Sequence, residues 1–429
     1  MNLSGVPHLT TALTGPLLKI ESHLLDRQSK IEAWLRSQFH RTPPPFYSSV
    51  DLRNSGFKLA PVDTNLFPAG YNNLNPAFLP LCIQAVQAAV ERICPDAARL
   101  LVIPENHTRN TFYLEAFATL IDIIRRAGFE VRIGSLLPDL AEPKEIALPS
   151  GRTLLLEPLQ REGDALRVGD YFPCAVILNN DLSKDAPAIL QGLKCPVVPP
   201  VALGWHKRLK SEHFAQYRRV AFEFAELIDL DPWFIDPLFR KCGEINFMRR
   251  EGEECVATNT EALLADIQRK YDEYGVDREP FVIVKADAGT YGMGIMTVRH
   301  PEEIYTLNRK QRSSMAASKE GQTITKVILQ EGVYSFETFG PDHGVAEPVV
   351  YMIDRYVVGG FYRLHTERGP DENLNAPGMK FEPLSFADPC NNPDQKQPPD
   401  AGPNRFYAYG VVARLASLAA AREVAAVKA

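Results

Sequence analysis

The spacing of apolar residues along the chain changes between that of helices and that of strands. Residues 11–40 place leucine, isoleucine and tryptophan three and four positions apart, which predicts a helix, and the prolines at 43–45 end it. A similar pattern predicts a second helix at about 76–94. The apolar run at 100–104 is too short for a helix and predicts a buried strand. These alternating patterns indicate a mixed α/β chain.

The sequence predicts two strand–helix–strand units, and the strand at 100–104 begins the first of them. A helical run ends at Gly128, and residues 129–133 resume as a strand. The order recurs with strands at 175–178 and 196–198 around a short predicted helix at 184–193. Strands that are joined by helices pair in parallel. We therefore predict a doubly wound α/β domain, which binds ligands at the carboxyl ends of its strands.

Composition excludes several classes of protein. Apolar residues make up 45% and charged residues 23%, which excludes a disordered or fibrous chain. A net charge of −6 argues against general binding to nucleic acid. There is no apolar run as long as a membrane span and no signal-peptide pattern, so we expect a cytoplasmic protein that binds neither nucleic acid nor a membrane. The seven cysteines are widely spaced, which predicts free thiols rather than a disulfide framework.

The strongest chemical signal is a lysine followed by a glycine-rich loop at residues 281–295. An apolar strand ends at Lys285, and Gly289, Gly292 and Gly294 follow before a second strand resumes. Glycines let backbone N–H groups approach a polyphosphate, and a lysine neutralises its oxygens as a point charge. The spacing fits neither a P-loop nor a dinucleotide-binding fingerprint. We interpret it as a hairpin that covers phosphates, and an ordinary β-turn is the alternative.

Two later segments complete a candidate nucleotide site. The strand at 326–333 runs into a polar linker whose backbone suits an adenine edge, with an acidic residue for the ribose. A predicted hairpin at 348–364 then places an arginine and two amides where they could hold a transferring phosphoryl group. The candidate residues of these segments are Gln330, Glu331, Val333, Arg363, Asn373 and Asn375.

The order of these parts resembles the ATP-grasp superfamily, which includes glutathione synthetase and related carboxylate–amine ligases. The resemblance covers about 205–380 and implies an ATP-grasp-like domain that binds ATP. The superfamily places its first nucleotide lysine where this chain has the basic segment 205–211, and we assign that role to Lys210. The alternative for this segment is a solvated helix face.

The metal ligands expected from this resemblance are missing from the end of the sequence. After Asn375 there is no Glu-x-Asn, which these ligases use to hold magnesium. Residues 50–68 instead read as strand, glycine turn and strand, with Asp51 on the first arm and Asp63 and Asn65 on one face of the second. Oxygen ligands of this kind suit Mg²⁺. We therefore expect a circularly permuted layout with the metal-binding hairpin near the N-terminus, and turn caps are the alternative.

A closer resemblance lies in the same region. Residues 58–74 resemble the signature of a small proteobacterial glutamate–cysteine ligase family, and length and overall order agree. The resemblance implies that L-glutamate, L-cysteine and ATP yield γ-glutamylcysteine through a γ-glutamyl phosphate, the first step of glutathione synthesis. Lys285 and Arg363 would then be the catalytic residues, because such an enzyme supplies positioning and charge stabilisation.

Three basic residues are candidates for binding substrate carboxylates. Arg53 and Lys58 flank the proposed metal site, and Arg109 follows the first parallel strand. For Arg53 and Lys58 the alternative is a pair of surface charges. For Arg109 the alternative is a loop in which Thr108 or Asn110 caps the next helix.

The length of 429 residues predicts two to three domains, at about 150 residues each. We divide the chain into a helix and a metal- and substrate-binding hairpin at 1–80, an α/β substrate domain at 81–204, and an ATP-grasp-like region at 205–429 that ends in an alanine-rich helix. Two other functions stay open: an ATP-grasp ligase for different amino acids or peptides, and a noncatalytic nucleotide-binding regulatory protein. A homo-oligomer is also open.

Overall fold

The computed structural model describes residues 16–289, 294–316, 323–339, 342–384 and 407–428, which form a mixed α/β chain with several sheets. The helices are α1 (Pro16–Asp26), α2 (Gln28–Arg41), α3 (Leu79–Ile93), α4 (Thr111–Arg126), α5 (Lys210–Ile228), α6 (Glu253–Tyr274), α7 (Arg309–Ala316) and α8 (Tyr407–Lys428). The strands are β1 (Tyr47–Asn54), β2 (Leu59–Asn65), β3 (Arg99–Pro104), β4 (Glu130–Ser135), β5 (Lys144–Ala147), β6 (Thr153–Pro158), β7 (Gln160–Glu162), β8 (Ala165–Arg167), β9 (Ala175–Asn179), β10 (Val197–Val198), β11 (Phe239–Gly243), β12 (Val282–Ala286), β13 (Ile295–Val298), β14 (Lys326–Glu331), β15 (Thr338–Phe339), β16 (Gly344–Ile353), β17 (Tyr356–His365) and β18 (Lys380–Pro383).

The predicted helices agree with the structure in four places, one of which is α4 before Gly128, and disagree in one. The pattern at 11–40 corresponds to α1 and α2, which meet at Arg27, and the second predicted helix is α3. The alanine-rich helix at the end is α8. The helix predicted at 184–193 is wrong, because a single 3₁₀ turn, Ala188–Leu190, forms there. Pro187 begins that turn, and Gly192, with a φ of +64°, redirects the chain soon after it.

An antiparallel sheet joins residues from the two ends of the chain. Its order is β18-β17-β16-β1-β2, with β15 also paired to β16. The predicted strand, glycine turn and strand form the hairpin β1–β2, in which Asp51 lies opposite Asp63. The other side of β1 pairs with β16, so that Asp51 also lies opposite Val349. Gly56 takes the turn with a φ of +80°, a conformation that any other residue would adopt only with strain.

Helix α8 covers one face of this sheet, and α5 packs against α8. Every residue from 407 to 421 is buried, because α8 packs against α5, β1, β2 and β16 at once. The alanines of this helix allow close approach on several sides, which a helix with one apolar stripe would not need. The N-terminal hairpin is therefore held in place by the last helix of the chain as well as by β16.

The second sheet is the core of the predicted α/β domain. Its order is β10-β9-β3-β4-β6-β5; the strands from β10 to β6 are parallel, and β5 is an antiparallel edge. α4 packs on one face, and the other face is covered by Trp205 and the end of α8. The chain builds β4 and β6 on one side of β3 before it adds β9 on the other. Open α/β sheets bind ligands at such a reversal, outside the carboxyl ends of the strands.

The third sheet carries the predicted glycine-loop hairpin. Its order is β11-β14-β12-β13, with all neighbours antiparallel. The hairpin of β12 and β13 and the strand β14 confirm the strands predicted in this region. α6 packs its apolar side chains on one face of this sheet. Among the described residues, none of the helices is long and apolar enough to cross a lipid bilayer.

Candidate active site

A cavity of about 460 Å³ lies where the three sheets meet, within the usual size range of small-molecule sites. Residues predicted from distant segments of the chain line it together. They are Asp51, Arg53, Asp63, Asn65, Lys210, Lys285, Gly289, Gln330, Glu331, Val333, Arg363, Asn373 and Asn375.

Two lysines and an aspartate form the most charged part of the cavity. The Nζ atom of Lys210 donates to both carboxylate oxygens of Asp63 at 2.8 Å. The Nζ atom of Lys285 donates to the carbonyl of Val62 at 2.6 Å and to Oε1 of Gln330 at 2.8 Å. Burial lowers the pKa of Lys285 to about 8, although Asp63 acts in the opposite direction. Burial alone would raise the pKa of Asp63, but Lys210 and Lys285 outweigh it and hold that pKa well below its usual range.

The start of α5 is fixed by the residue that follows β12. The backbone N–H of Lys210 donates to the carbonyl of Asp287 at 2.7 Å. The N–H and hydroxyl of Ser211 donate to the Asp287 carboxylate, each at 2.7 Å. The Lys210 ammonium also lies 4.2 Å from the ring centre of Trp205. Because Lys210 is buried, the alternative of a solvated helix face does not describe its position.

Arg363 faces the N-terminal hairpin from the neighbouring part of the same sheet. Its Nη1 and Nη2 atoms both donate to Oδ2 of Asp51 at 3.0 Å, and Nη1 lies 3.7 Å from Oε2 of Glu347. Burial alone would lower the pKa of Arg363, but Asp51 and Glu347 outweigh burial and raise that pKa above its usual value. The guanidinium therefore stays charged. Its Nε–H has no hydrogen-bond partner among the described residues. A partly buried cation with a buried, unused donor suits an anionic ligand.

Arg53 and Arg363 share one carboxylate. The Glu347 side chain forms ion pairs with both guanidinium groups. Arg53 also donates to the carbonyls of Val333, at 3.0 Å, and Glu372. Sequence reasoning missed Glu347, and the available signal was an acidic residue within the wholly buried strand β16, directly opposite Arg363 in β17.

The three predicted metal ligands lie together on one wall of the cavity. Asp51 is opposite Asp63, and Asn65 lies two residues further along the same strand. Both carboxylates pair with basic side chains, and Asn65 exchanges hydrogen bonds with the backbone of Phe67 at 2.9 and 3.2 Å. Asn65 thus lines the cavity and also stabilises the turn that follows β2. Within the described ranges, no group of three or more His, Cys, Asp or Glu is arranged to hold a metal ion.

The strand β14 presents two neighbouring side chains with different surroundings. Oε1 of Gln330 accepts from Lys285, and its Nε2 is buried without a partner in the described part of the chain. The carboxylate of Glu331 accepts from Lys58 at 2.8 Å, from the backbone N–H of Leu238 at 2.9 Å and from Nε1 of Trp233 at 3.1 Å. Gln330 can therefore still donate to a ligand, whereas the Glu331 carboxylate is held by protein groups.

Lys58 lies behind the cavity wall rather than on it. Its side chain is fully buried, pairs with Glu331, and donates to the carbonyl of Asp236 at 2.9 Å. Its ammonium also lies 4.6 Å from the ring centre of Trp233. The structure thus places Lys58 in a buried ion pair instead of at a position that a substrate carboxylate reaches.

Lys58→Met is expected to destabilise the protein by about 3–5 kcal/mol, because the Glu331 carboxylate stays buried after its cation is removed. Denaturant unfolding of the purified variant measures this loss. The double variant Lys58→Met/Glu331→Gln removes both charges and should recover part of the stability. A Lys58→Met protein with unchanged stability and a raised KM for one amino acid would return Lys58 to the predicted substrate role.

Two other predicted site residues are not among the residues that line the cavity. Arg109 lies elsewhere on the surface, and Gly292 lies outside the described residues. Arg109 is exposed on the loop before α4, where Asn110 caps the helix by accepting from the N–H of Tyr113 at 3.2 Å. The alternative reading of that loop as a helix cap is therefore confirmed for Asn110. Gly289 lines the cavity and Gly294 has a φ of +64°, while Gly292 lies outside the described residues.

Comparison with known proteins identifies the family. The sequence profile of the GshA family, described as glutamate-cysteine ligase, matches residues 21–424. The chain belongs to the glutamate–cysteine ligase family. A crystal structure from Methylobacillus flagellatus KT, provisionally described as a gamma-glutamylcysteine synthetase, is 61% identical and has a TM-score of 0.90. That match covers 98% of this chain and 99% of the other.

More distant structures and curated proteins add little. A glutathione synthetase-like effector (GSS30) from Globodera pallida is 10% identical with a TM-score of 0.39, covering 86% of this chain and 79% of that one. D-alanyl-alanine synthetase A from Vibrio cholerae O1 biovar eltor str. N16961 is 10% identical with a TM-score of 0.34, covering 74% and 81%. No curated protein matches the chain.

The α/β sheet of this glutamate–cysteine ligase family member adds cavity residues that sequence reasoning missed. Glu105 follows β3 and Asp181 follows β9, so both lie at the carboxyl ends of the strands where the sheet order reverses. Oε1 of Glu105 accepts from the N–H of Asp181 at 2.7 Å. Trp205 lines the same region, and its indole N–H is buried without a partner among the described residues. The positions of Glu105 and Asp181 after parallel strands were a usable sequence signal. That signal was instead used to select Arg109.

Proposed function

We propose that this protein is a glutamate–cysteine ligase that uses ATP to join the γ-carboxylate of L-glutamate to the amine of L-cysteine. The family match over residues 21–424 carries this conclusion. The cavity supports it independently, because buried lysines and an arginine meet there in a way that suits a polyanionic nucleotide. We also propose a cytoplasmic location, which fits the free cysteines among the described residues.

A coupled ADP-release assay with mass detection of the dipeptide tests this function. Release should require L-glutamate and L-cysteine together, and the product should have the mass of γ-glutamylcysteine. Faster turnover with another amine acceptor would favour a ligase for different amino acids. Tight ATP binding without release in the presence of any amino acid would favour a regulatory protein.

In the proposed reaction, an oxygen of the glutamate γ-carboxylate attacks the γ-phosphorus of ATP, and the bond to ADP breaks. The cysteine amine then attacks the acyl carbon, phosphate leaves with the acyl oxygen, and the amine loses a proton to solvent. We assign Lys210 and Lys285 to the phosphates and Arg363 to the group in transfer. Fixed charges in a buried site stabilise developing charge without reorganisation. Gln330, Val333, Asn373, Asn375 and the loop of Gly289, Gly292 and Gly294 would hold the rest of the nucleotide.

We assign Mg²⁺ to Asp51, Asp63 and Asn65. Their oxygen atoms suit this ion, and a set with two carboxylates leaves coordination positions for phosphate oxygens and water. When bound, Mg²⁺ would neutralise charge on the phosphates. Lys210 and Arg363 would then exchange their carboxylate partners for phosphate oxygens. The pairing of the N-terminal hairpin with β16 supports the circularly permuted layout that this assignment needs.

We place the amino-acid substrates between the α/β sheet and Arg53. Arg53 lines the cavity and keeps the role of carboxylate ligand, which the exposed Arg109 and the buried Lys58 are badly placed to fill. On the opposite side, the carboxylates of Glu105 and Asp181 suit an amino group. This arrangement uses the sheet reversal at which α/β folds bind their ligands. It also supports residues 81–204 as the substrate domain.

The value of kcat/KM for ATP is expected to fall by about tenfold per pH unit above about pH 8. Because burial lowers the pKa of Lys285 to about 8, its ammonium is present below that value and lost as the pH rises through it. Initial rates at several pH values with limiting ATP measure the profile. Lys285→Arg, which keeps its charge over this range, should flatten the profile even where its rate is low. A wild-type profile without this decline would contradict the assignment of Lys285 to phosphate.

A further inference from the structure

Two thiols meet on the nucleotide sheet away from the cavity. Cys242 lies in β11 and Cys255 in the first turn of α6, and their sulfur atoms are 3.0 Å apart. Neither residue lines the cavity. The sequence, which separates them by thirteen positions, predicted free thiols without a partner.

A side-chain amide completes this site. The Nδ2 atom of Asn259, one turn further along α6, contacts Sγ of Cys242 at 3.3 Å and Sγ of Cys255 at 3.5 Å. Its own position is fixed by a hydrogen bond to the carbonyl of Cys255 at 3.0 Å. An N–H donor stabilises a thiolate, and the start of a helix favours negative charge in the same place. The Asn259 amide and the start of α6 therefore both favour negative charge at the same pair of sulfur atoms.

The two thiols differ in access. Cys255 is exposed, whereas Cys242 is buried beneath it. Burial, and then the neighbouring Cys255, raise the pKa of Cys242 to about 12. A small molecule from solvent therefore meets Cys255 first, and Cys242 can react only with a group already attached there.

We propose that Cys242 and Cys255 form a thiol–disulfide exchange site for small aliphatic disulfides, with Cys255 as the attacking thiol and Cys242 as the resolving one. The Cys255 thiolate attacks one sulfur of the disulfide, and one thiolate leaves. The Cys242 sulfur then attacks Cys255, its proton passes to the departing sulfur, and a second thiol leaves. The protein loses two hydrogens, and the small disulfide is reduced to two thiols, so electrons and atoms balance.

A disulfide between Cys242 and Cys255 would constrain the sheet that carries part of the proposed nucleotide site. β11 pairs along β14, with Cys242 opposite Val327 and Phe239 opposite Gln330. A Cys242–Cys255 bond ties α6 to β11 and closes the intervening segment of chain. Closing a loop restricts the unfolded chain, so the oxidised protein should unfold at a higher temperature than the reduced one.

L-Cystine is the probe, because it is the disulfide of the thiol amino acid in the proposed reaction. This choice rests on the proposed function, but the readout is thiol chemistry, so either idea can fail without the other. Reduced full-length protein is exposed to L-cystine, quenched with acid, digested and mapped by mass spectrometry. The expected result is a Cys242–Cys255 cross-linked peptide that dithiothreitol removes.

Single serine variants separate the two roles. Cys242→Ser should stop at a cysteinyl adduct on Cys255, and Cys255→Ser should leave Cys242 unmodified. Cys174→Ser, at a partly exposed thiol elsewhere in the chain, should still form the cross-link and serves as the matched control. Circular dichroism confirms that each variant is folded. A folded wild type that keeps both thiols free, or a stable adduct on Cys255 without the cross-link, would overturn the proposal.

Discussion

Arg363→Ala should lower kcat by about 10²- to 10³-fold, the usual effect of removing one fixed charge that stabilises a transition state. The guanidinium lies on the cavity wall, pairs with Asp51 at 3.0 Å, and has an unused Nε–H. In the proposed reaction it would bind the phosphoryl group between ADP and the glutamate carboxylate. Steady-state rates of ADP release, measured with saturating ATP and both amino acids, give the change in kcat.

Two further variants distinguish lost chemistry from lost structure. Arg363→Lys keeps the charge but not the paired donors, so its kcat should lie between those of wild type and Arg363→Ala. Arg355→Ala removes an exposed arginine from the turn between β16 and β17, and it should have wild-type rates. Thermal unfolding shows how far the Arg363→Ala protein is destabilised by the unpaired carboxylate of Asp51, since Glu347 keeps its ion pair with Arg53. A folded Arg363→Ala enzyme with kcat within about twofold of wild type would remove Arg363 from catalysis.

Local patterns predicted the parts of the site that lie within one strand and its following loop. Lys285 was recognisable because it ends an apolar strand before a glycine-rich loop, and β12 and β13 have that arrangement. The hairpin at Asp51 and Asp63 was recognisable for the same reason, since alternation along a strand determines which side chains share a face. Strand ends and turns depend on neighbours in sequence, so a single chain contains enough information to find them.

The partner of each charged side chain lies far away in sequence. Local patterns could therefore not predict which charged residues face the cavity and which are buried in ion pairs. Lys58 and Glu331 are 273 residues apart, and Arg363 and Asp51 are 312 apart. Nothing near Lys58 in sequence distinguishes a lysine that faces a cavity from one buried behind it. The same limit explains Glu347, whose importance comes from lying between two arginines.

The metal assignment depends most on Asp63, and Asp63→Asn is expected to lower kcat by about 10²-fold or more. The substitution keeps the shape and one oxygen acceptor but removes the charge that a divalent cation requires. Since Lys210 and Lys285 hold the pKa of Asp63 well below its usual range, the wild-type carboxylate is ionised throughout the neutral range. Because the Asp63 carboxylate also raises the pKa of Lys285, Asp63→Asn should move the alkaline decline in kcat/KM for ATP to a lower pH.

The Asp63→Asn variant also distinguishes two alternative roles of Asp63. If it holds Mg²⁺, Asp63→Asn should need a higher Mg²⁺ concentration for half-maximal rate, and excess Mg²⁺ should restore part of the activity. If it acts only by orienting Lys210, to which it is bound at 2.8 Å, the KM for ATP should rise while the Mg²⁺ requirement stays unchanged. Asp96→Asn, at an exposed aspartate in the loop before β3, should change neither quantity. Near-normal turnover of Asp63→Asn at low Mg²⁺ would be incompatible with a metal site on the N-terminal hairpin, and the circularly permuted layout would lose its main chemical support.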